Sequence, residues 1–426
     1  MKEITQTFKN KLFSNYAIYL GANLIGSAIP FLFLPILTRY LSPTDYGIVA
    51  TFQILLFIFT ILVGLNIHGV LSRTYFDLDS QKLKQLNFNL ILISLASFLI
   101  IVASIEVLIK FNFTPPELPN QWLFIIALTA LLEVWSNLIL ALWRVQEKPL
   151  QFGKFQISKI IINVLLSFLL VVVWTLNWRG RVVGIIIADI IFGSTALLIL
   201  LREDLVKPRL NLSYIKDALF FGVPLIPHAL SGWITTYVDR FFIANMVGMA
   251  DVGIYSVAYQ IGSIIGILAS SFNQAWTPFL FKKLSQGNQD SKTTIVKLTY
   301  CYFVVIIFLT ALLSLTAPFI ISFFLGDEFE QATRYVPWIA AGYSATGMYY
   351  MVVNYIFYAK KTYYLAVITL SAALINILLN FIFISRNGTI GAAQATTITS
   401  LIIFVSTWFL SNRVCQMPWK LQSIEG

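Results

Sequence analysis

Long apolar runs follow one another along the whole chain and are separated by short polar connections. A helix needs about 20 mostly apolar residues to cross a bilayer, and the runs reach about that length. Only 11% of the residues are charged, against roughly 25% in soluble domains, which excludes a water-covered globular surface. We therefore predict an all-α integral membrane protein with twelve transmembrane helices, at residues 13–38, 45–67, 87–110, 122–143, 156–176, 182–201, 218–245, 251–279, 295–321, 335–358, 363–385 and 390–411.

The basic side chains are divided unevenly between the two sides of this predicted topology. Of the 29 Lys and Arg residues, 22 fall on one side, six on the other, and Arg240 alone within a span. Cytoplasmic loops carry such an excess, which predicts that both termini are cytoplasmic. The basic residues are spread over many connections and form no continuous face, so nucleic acid is excluded as a partner despite the net charge of +10.

The second half of the chain repeats features of the first. "LSPTDYGIVA" at 41–50 returns as "VGMADVGIYS" at 247–256, and "INVLLSF" at 162–168 returns as "INILLNF" at 375–381. The offsets are 206 and 213 residues, close to half of the 426-residue chain. The duplication predicts two six-helix lobes around a central cavity, related by a parallel pseudo-two-fold axis. We place the lobes at 1–203 and 218–426, with a cytoplasmic linker at 204–217.

Two stretches resemble a known family. "SAIPFLFLPILTRYLSPTDYGIVATFQ" at 27–53 and "FGVPLIPHALSGWITTYVDRFFIANMVGMADVGIYSVAYQIGSI" at 221–264 are similar to the polysaccharide biosynthesis, or oligosaccharide (O-antigen type) flippase, family. That family belongs to the multidrug/oligosaccharidyl-lipid/polysaccharide exporter superfamily, and the resemblance covers the chain end to end. It implies a transporter and not an enzyme, which moves undecaprenyl-diphosphate-linked oligosaccharide units to the periplasmic leaflet of a bacterial inner membrane by alternating access. It also implies that other polysaccharide-assembly proteins are partners.

Arg240 is the leading candidate for contact with a diphosphate. It lies eleven residues before Asp251, which places it roughly 12–15 Å inside the predicted outer boundary. A guanidinium presents a fork of donors that suits a phosphate oxyanion. The alternative is a structural ion pair with a buried carboxylate such as Glu133 or Asp189. Adjacent side chains on a helix diverge, so Asp239 is expected to face elsewhere.

Further candidates share a polar side chain in or near a predicted span. Arg39 and Arg73 could meet the diphosphate, or could simply cap a helix and follow the positive-inside bias. Charged groups within spans usually face a cavity or a partner. We therefore expect ion coupling, to H⁺ or Na⁺, or sugar contact from members of the set Glu133, Asp189, Asp239, Asn23 and Gln53.

Two prolines and a lack of metal ligands complete the expectations. Pro224 and Pro227 begin the seventh span, where a kink could serve as a hinge or could be static. No motif for a metal or an organic cofactor is recognised, and the two cysteines, Cys301 and Cys415, form no framework. The alternatives are an exporter of drugs or of another lipid-linked substrate, a membrane-embedded glycan polymerase or transferase, and a non-transporting scaffold.

Overall fold

The computed structural model describes residues 18, 21–22, 25–26, 28–111, 118–286, 289–359, 361 and 363–419, without the side chains of 228 and 366. All regular structure in these residues is helical. The helices are α1 (Ala28–Tyr40), α2 (Pro43–Gly64), α3 (Ile67–Thr74), α4 (Ser80–Lys110), α5 (Gln121–Val145), α6 (Pro149–Phe168), α7 (Asn177–Arg202), α8 (Leu212–Gly222), α9 (Ile226–Met246), α10 (Met249–Ser285), α11 (Gln289–Phe324), α12 (Val336–Tyr358), α13 (Tyr363–Asn387) and α14 (Thr389–Val414). A π-helical turn, Leu169–Val173, extends α6.

Nine helices in the described part of the chain are long and apolar enough to cross a membrane, or ten if α8 and α9 form one bent span. This confirms the prediction of an all-α integral membrane protein. Ten of the 26 residues of the predicted first span lie outside the described residues, and its described part includes most of the short apolar helix α1. The predicted tenth span corresponds to α12. Its tyrosines and small polar residues lower its mean hydropathy, so it is not among the nine helices. Twelve spans in two six-helix lobes stay a prediction.

The chain forms two compact units, which divide between Leu230 and Ser231. In the first unit α5 packs on α2 and α7, and α6 packs on α7. In the second unit α12 packs on α10 and α14, and α13 packs on α14. These are the same pairings between helices at matching positions of the sequence repeat. Each unit therefore builds its own core in the same helix order.

The repeated corners before α2 and α10 are built differently. At the first corner Ser42 is the N-cap of α2, and its hydroxyl accepts a hydrogen bond from the backbone N–H of Asp45. The Asp45 carboxylate accepts from the Ser42 backbone N–H, which completes a capping box. At the second corner Gly248 precedes α10 with a φ of 155°, a backbone region that favours glycine. There Asp251 accepts from the Thr389 hydroxyl at 2.6 Å and ties α10 to the start of α14.

The segment predicted as a linker lies along α4. Two fully buried asparagines of α4 hold its backbone. Asn87 donates to the carbonyl of Leu205 at 2.9 Å, and Asn89 donates to the carbonyl of Arg209 at 3.0 Å. Asn89 also accepts from the backbone N–H of Asn211 at 2.9 Å. The segment is therefore an integral part of the first compact unit.

The predicted hinge falls at a break between α8 and α9. Pro224 lies in a short 3₁₀ turn, Val223–Leu225, and Pro227 is the second residue of α9. The stretches Leu212–Leu225 and Ala229–Met246 are bent by 41° across this break. A proline lacks the backbone donor that would continue the helix, which accounts for the kink. Movement about this bend stays a prediction.

Candidate functional site

A cavity of about 360 Å³ in the first unit contains three cationic side chains. We call it the cationic cavity and define it by its polar lining residues, which are Asn137, Arg144, Gln156, Lys159, Asn163 and Arg181. They come from α5, α6 and α7, the helices that pack together in this unit. Most of a membrane protein's cations lie in loops, so three cations around one cavity indicate a site for an anion.

Arg181 is held in place at the beginning of α7. Its side chain is 8% exposed, and its Nη1 donates to the Ser167 hydroxyl at 2.6 Å and to the Asn163 side-chain oxygen. The guanidinium carbon lies 5.8 Å from the centre of the Phe33 ring. Its Nε has no hydrogen-bond partner within the described residues although it is buried. Because a buried donor without a partner is costly, this nitrogen is suited to donate to a bound anion.

Lys159 is anchored by a carboxylate on the neighbouring helix. Its Nζ lies 2.6 Å from Asp189 Oδ1, and the two side chains are 22% and 4% exposed, respectively. Glu133 also acts electrostatically on Lys159. The Glu133 carboxylate accepts a hydrogen bond from the Thr60 hydroxyl at 3.1 Å. The structure thus brings the predicted acids Glu133 and Asp189 to the same lysine.

A second cavity of about 350 Å³ lies beside Glu133 and is also lined by Thr60, Asn66 and His68. Asn137 lines both this cavity and the cationic cavity, which places the two side by side. Partial burial and the charge of Arg144 lower the pKa of His68, whose short helix α3 lies outside the spanning helices. The imidazole is therefore held neutral to a lower pH than a free histidine.

Arg240 lies in a buried cluster of the second unit and lines none of the described cavities. Its Nη1 is 3.0 Å from Asp239 Oδ1, and Tyr255 donates to Asp239 Oδ2 at 2.7 Å. The expectation that Asp239 faces elsewhere is wrong. The long arginine side chain is bent back along α9. Its Nη1 donates to the carbonyl of Thr236 and therefore lies beside Asp239. The arrangement favours a structural ion pair, the alternative to substrate contact.

The remaining predicted residues are dispersed. Arg39 is exposed near the end of α1, and Gln53 is exposed on α2. Arg73 lies 4.9 Å from the centre of the Phe221 ring and lines a separate cavity of about 350 Å³ with Asp77 and Asp217. Asn23 falls outside the described residues. None of the predicted cations therefore reaches the cationic cavity in the described part of the chain.

The sequence missed Lys159 and Arg181 because two helix boundaries were wrong. Lys159 lies near the start of the predicted fifth span, 156–176, and was counted with the connection before it, but α6 begins at Pro149, so Lys159 lies ten residues inside the helix. The predicted sixth span begins at residue 182, but α7 begins at Asn177. Proline favours the first turn of a helix, so Pro149 was the signal that could have placed the first boundary correctly. The statement that Arg240 is the one cation within a span is thereby corrected.

An apolar groove of about 500 Å³ lies between α10 and α11 in the second unit. Its lining is almost entirely aliphatic and aromatic and includes Phe272, Trp276 and Tyr302. The rings of Phe272 and Tyr302 are stacked with centroids 4.6 Å apart. Across the described residues, no group of three or more His, Cys, Asp and Glu side chains could hold a metal ion.

Family models match most of the chain. The model of a family described as "Polysaccharide biosynthesis protein" matches residues 12–284, and the MatE model matches residues 224–382. The first match includes every residue of the cationic cavity. The second begins within the break between α8 and α9 and extends into α13.

Proteins of two bacteria are similar in sequence, and solved structures are similar in fold. An "Uncharacterized membrane protein" of Haemophilus influenzae is 27% identical over 357 residues, which cover 82% of this chain and 85% of that protein. A "Capsular polysaccharide biosynthesis protein CapF" of Staphylococcus aureus is 22% identical over 427 residues, with 94% and 99% covered. The lipid II flippase MurJ, in an inward closed conformation, superposes with a TM-score of 0.69 over 93% of this chain and 87% of MurJ. At 16% identity this likeness shows a shared fold alone.

Proposed function

Because the chain belongs to the polysaccharide biosynthesis protein family, we propose that it flips undecaprenyl-diphosphate-linked oligosaccharides across a bacterial inner membrane. The direction is from the cytoplasmic to the periplasmic leaflet, in the assembly of a cell-surface polysaccharide. Both termini are cytoplasmic in this proposal, as the positive-inside bias predicts. The likeness to MurJ and the CapF relative support a lipid-linked substrate. Other polysaccharide-assembly proteins are the expected partners.

The observation that carries the proposal is the cationic cavity. A diphosphate cannot enter hydrocarbon unless its charge is compensated, and charge-assisted hydrogen bonds from Arg and Lys are the strongest compensation that side chains offer. Arg181 offers a buried Nε without a partner in the described chain, and Lys159 is part of the cavity lining. A neutral substrate would not supply a negative charge to the Arg181 Nε, the donor that lacks a partner in the described chain.

The three cations are spaced along α6, which suits stepwise transfer. Arg144 precedes α6, and Lys159 lies ten residues after its first residue, Pro149, or about 15 Å along the axis. Arg181 contacts Ser167, roughly 27 Å from the same end. In the proposed alternating-access cycle the diphosphate passes from Arg144 to Lys159 and then to Arg181. The bend at Pro224 and Pro227 is the proposed hinge.

The lipid tail needs an apolar path. The groove between α10 and α11 is lined by side chains such as Phe272 and Trp276 and suits an isoprenoid chain. In this proposal the tail binds this groove or stays in the bilayer. The hydrocarbon of the substrate then never enters the polar cavity.

The proposed driving force is an H⁺ or Na⁺ gradient that acts on Glu133 or Asp189. Both carboxylates act on Lys159, so a cation bound to either one changes the competition between that carboxylate and a diphosphate. Transport into proteoliposomes with an imposed pH or sodium gradient tests this part. Identical rates with and without both gradients would remove the coupling.

The decisive experiment compares two neighbouring arginines. Binding of undecaprenyl-diphosphate oligosaccharide is measured in nanodiscs for Arg181→Gln and for Arg179→Gln, an exposed arginine outside the cavity lining. Loss of a charge-assisted hydrogen bond predicts about tenfold to hundredfold weaker binding for Arg181→Gln and no change for Arg179→Gln. Arg144→Gln, which alters an exposed side chain packed on Phe152, tests the cavity without disturbing a buried contact. Unchanged affinity in both cavity variants would refute the proposal.

The MatE match supports a second candidate, an exporter of drugs. Drug efflux requires a site that accepts small cationic or amphipathic molecules without a diphosphate. Efflux of a fluorescent dye from cells that express the protein distinguishes the two candidates. Dye efflux that is abolished by Arg181→Gln, together with no binding of the lipid-linked oligosaccharide, would favour the drug exporter.

A further inference from the structure

The second unit contains a cavity of about 330 Å³ with an unusual lining. Ten of its thirteen lining residues carry a hydroxyl group, and four of these ten are tyrosines. The described lining contains no Lys, Arg, Asp or Glu. We call it the hydroxyl cavity. Its residues come from α9, α10, α12, α13 and α14, and none of the sequence candidates belongs to it.

The hydroxyl groups leave hydrogen-bonding capacity for a ligand. Thr236 and Thr346 donate to carbonyls of their own helices, at 2.8 and 3.1 Å, so their oxygens keep lone pairs that can accept. The Thr396 hydroxyl is buried and has no partner within the described residues. A buried hydroxyl of this kind is costly unless a ligand or water satisfies it. The cavity can therefore both accept from and donate to a polyhydroxylated molecule.

The tyrosines supply flat, rigid surfaces beside these hydroxyls. The ring of Tyr259 meets that of Tyr343 edge to face at 5.5 Å. The Arg240 guanidinium lies 3.9 Å from the centre of the Tyr259 ring and is itself bound to Asp239. Arg240 therefore supports Tyr259, a residue of the cavity lining, without bringing its charge to the cavity. Aromatic bodies with a polar tip pair apolar faces with hydrogen-bonding edges, as a sugar ring also does.

The sequence repeat relates this cavity to the cationic one. Thr369 lies 213 residues after Gln156, the offset at which α6 and α13 match, and each of the two residues lines the cavity of its own unit. Thr236 lies 206 residues after Pro30, the offset of the repeated corner, and these two residues also line the two cavities. The duplicated scaffold thus holds a cavity at the matching place in each unit. One is cationic and the other is neutral.

We propose that the hydroxyl cavity binds a neutral sugar ring of the oligosaccharide. This inference rests on the proposed function and names the part of the substrate that the second unit recognises. The volume suits roughly one or two pyranose rings, since small-molecule sites begin at about 300 Å³. An acidic sugar is disfavoured because its carboxylate would be buried without a counter-charge.

The test uses three probes with the full chain in nanodiscs. They are undecaprenyl diphosphate, the same lipid bearing a neutral disaccharide, and the same lipid bearing a disaccharide that contains a hexuronic acid. The variant Thr396→Val/Ser400→Ala removes two hydroxyls, one of which is already without a partner in the described chain, so folding should be preserved. Thr316→Val, on α11 outside the cavity, is the matched control.

Calorimetry should show about fivefold to tenfold weaker binding of the neutral glycolipid to the double variant. Binding of undecaprenyl diphosphate should be unchanged, the control should match the natural protein, and the acidic glycolipid should bind more weakly than the neutral one. The inference is overturned if the double variant binds the neutral glycolipid with natural affinity or loses both lipids equally. It is also overturned if the natural protein binds the lipid equally with and without sugar, a result that leaves the proposed function standing. Failure to bind any probe refutes the proposed function itself.

Discussion

The ion pair between Lys159 and Asp189 allows a quantitative test of how the cationic cavity is built. With 2.6 Å between Nζ and Oδ1, an effective dielectric constant of about 20 gives an attraction of roughly 6 kcal/mol. Desolvation of the two groups offsets much of this gain. Removal of one partner of a buried pair nevertheless costs about 3–5 kcal/mol, because the other charge stays behind.

The two single substitutions should differ in their effects. Lys159→Gln leaves the carboxylate of Asp189, which is 4% exposed, without a counter-charge and should cost the full 3–5 kcal/mol or so. Asp189→Asn leaves Lys159, which is 22% exposed and can extend its ammonium into the polar cavity. That variant should lose only about 1–2 kcal/mol. The double variant has no uncompensated charge and should be more stable than Lys159→Gln alone.

The assay is unfolding by sodium dodecyl sulfate in mixed micelles, followed by circular dichroism for all four proteins of the cycle. The coupling energy should reach about 2 kcal/mol. The control cycle uses Lys82 and Asp79, whose side chains are 59% and 57% exposed and 3.2 Å apart, and which should couple by less than about 1 kcal/mol. Strictly additive losses at Lys159 and Asp189, or equal losses from the two single variants, would refute the reasoning.

Three further predictions follow from other contacts. Asn89→Leu leaves the Asn211 N–H and the Arg209 carbonyl unsatisfied, so it should lower the free energy of unfolding by about 1–3 kcal/mol. It should also speed tryptic cleavage after Arg209. An unchanged cleavage rate would show that the segment is held by other contacts. The lowered pKa of His68 means that the unfolded chain binds more protons below about pH 6.5, so stability should fall as the pH is lowered. His68→Gln should flatten this part of the curve in thermal melts between pH 5 and pH 8, and an unchanged slope would contradict the assignment. Gly193→Ala places a Cβ 2.6 Å from the carbonyl oxygen of Leu132 on α5, which forces α5 and α7 apart. Thermal melting should therefore show a loss of stability of about 1–3 kcal/mol. Wild-type stability would contradict this prediction.

The pattern of apolar runs predicted the fold class because a bilayer imposes a length on every crossing helix. This feature depends on residues close together in sequence, which is why the sequence was sufficient to predict it.

The site was harder to predict because it depends on helix boundaries and on packing between distant segments. An error of one or two turns placed Lys159 at the edge of its predicted span and Arg181 just outside its own, so both were counted with the connections and the cavity was missed. Hydropathy windows do not resolve such an error, since Lys159 is flanked on one side by residues as polar as those of a connection. The pairing of Arg240 with its neighbour Asp239 depends on the path of a long side chain, which helix periodicity does not describe.

The attachment of residues 205–211 to α4 changes the mechanics of the link that follows α7. A free linker of fourteen residues would behave as a tether with a typical reach of about 20 Å, and its ends would diffuse independently. The hydrogen bonds to Asn87 and Asn89 hold this segment against α4, so it lacks the conformational freedom of a free linker before any substrate binds. A change of angle between α8 and α9 must then be absorbed by a few backbone torsions around Val223–Leu225. If the proposed hinge operates at this break, the stiffness of one proline-containing turn governs how easily that angle changes.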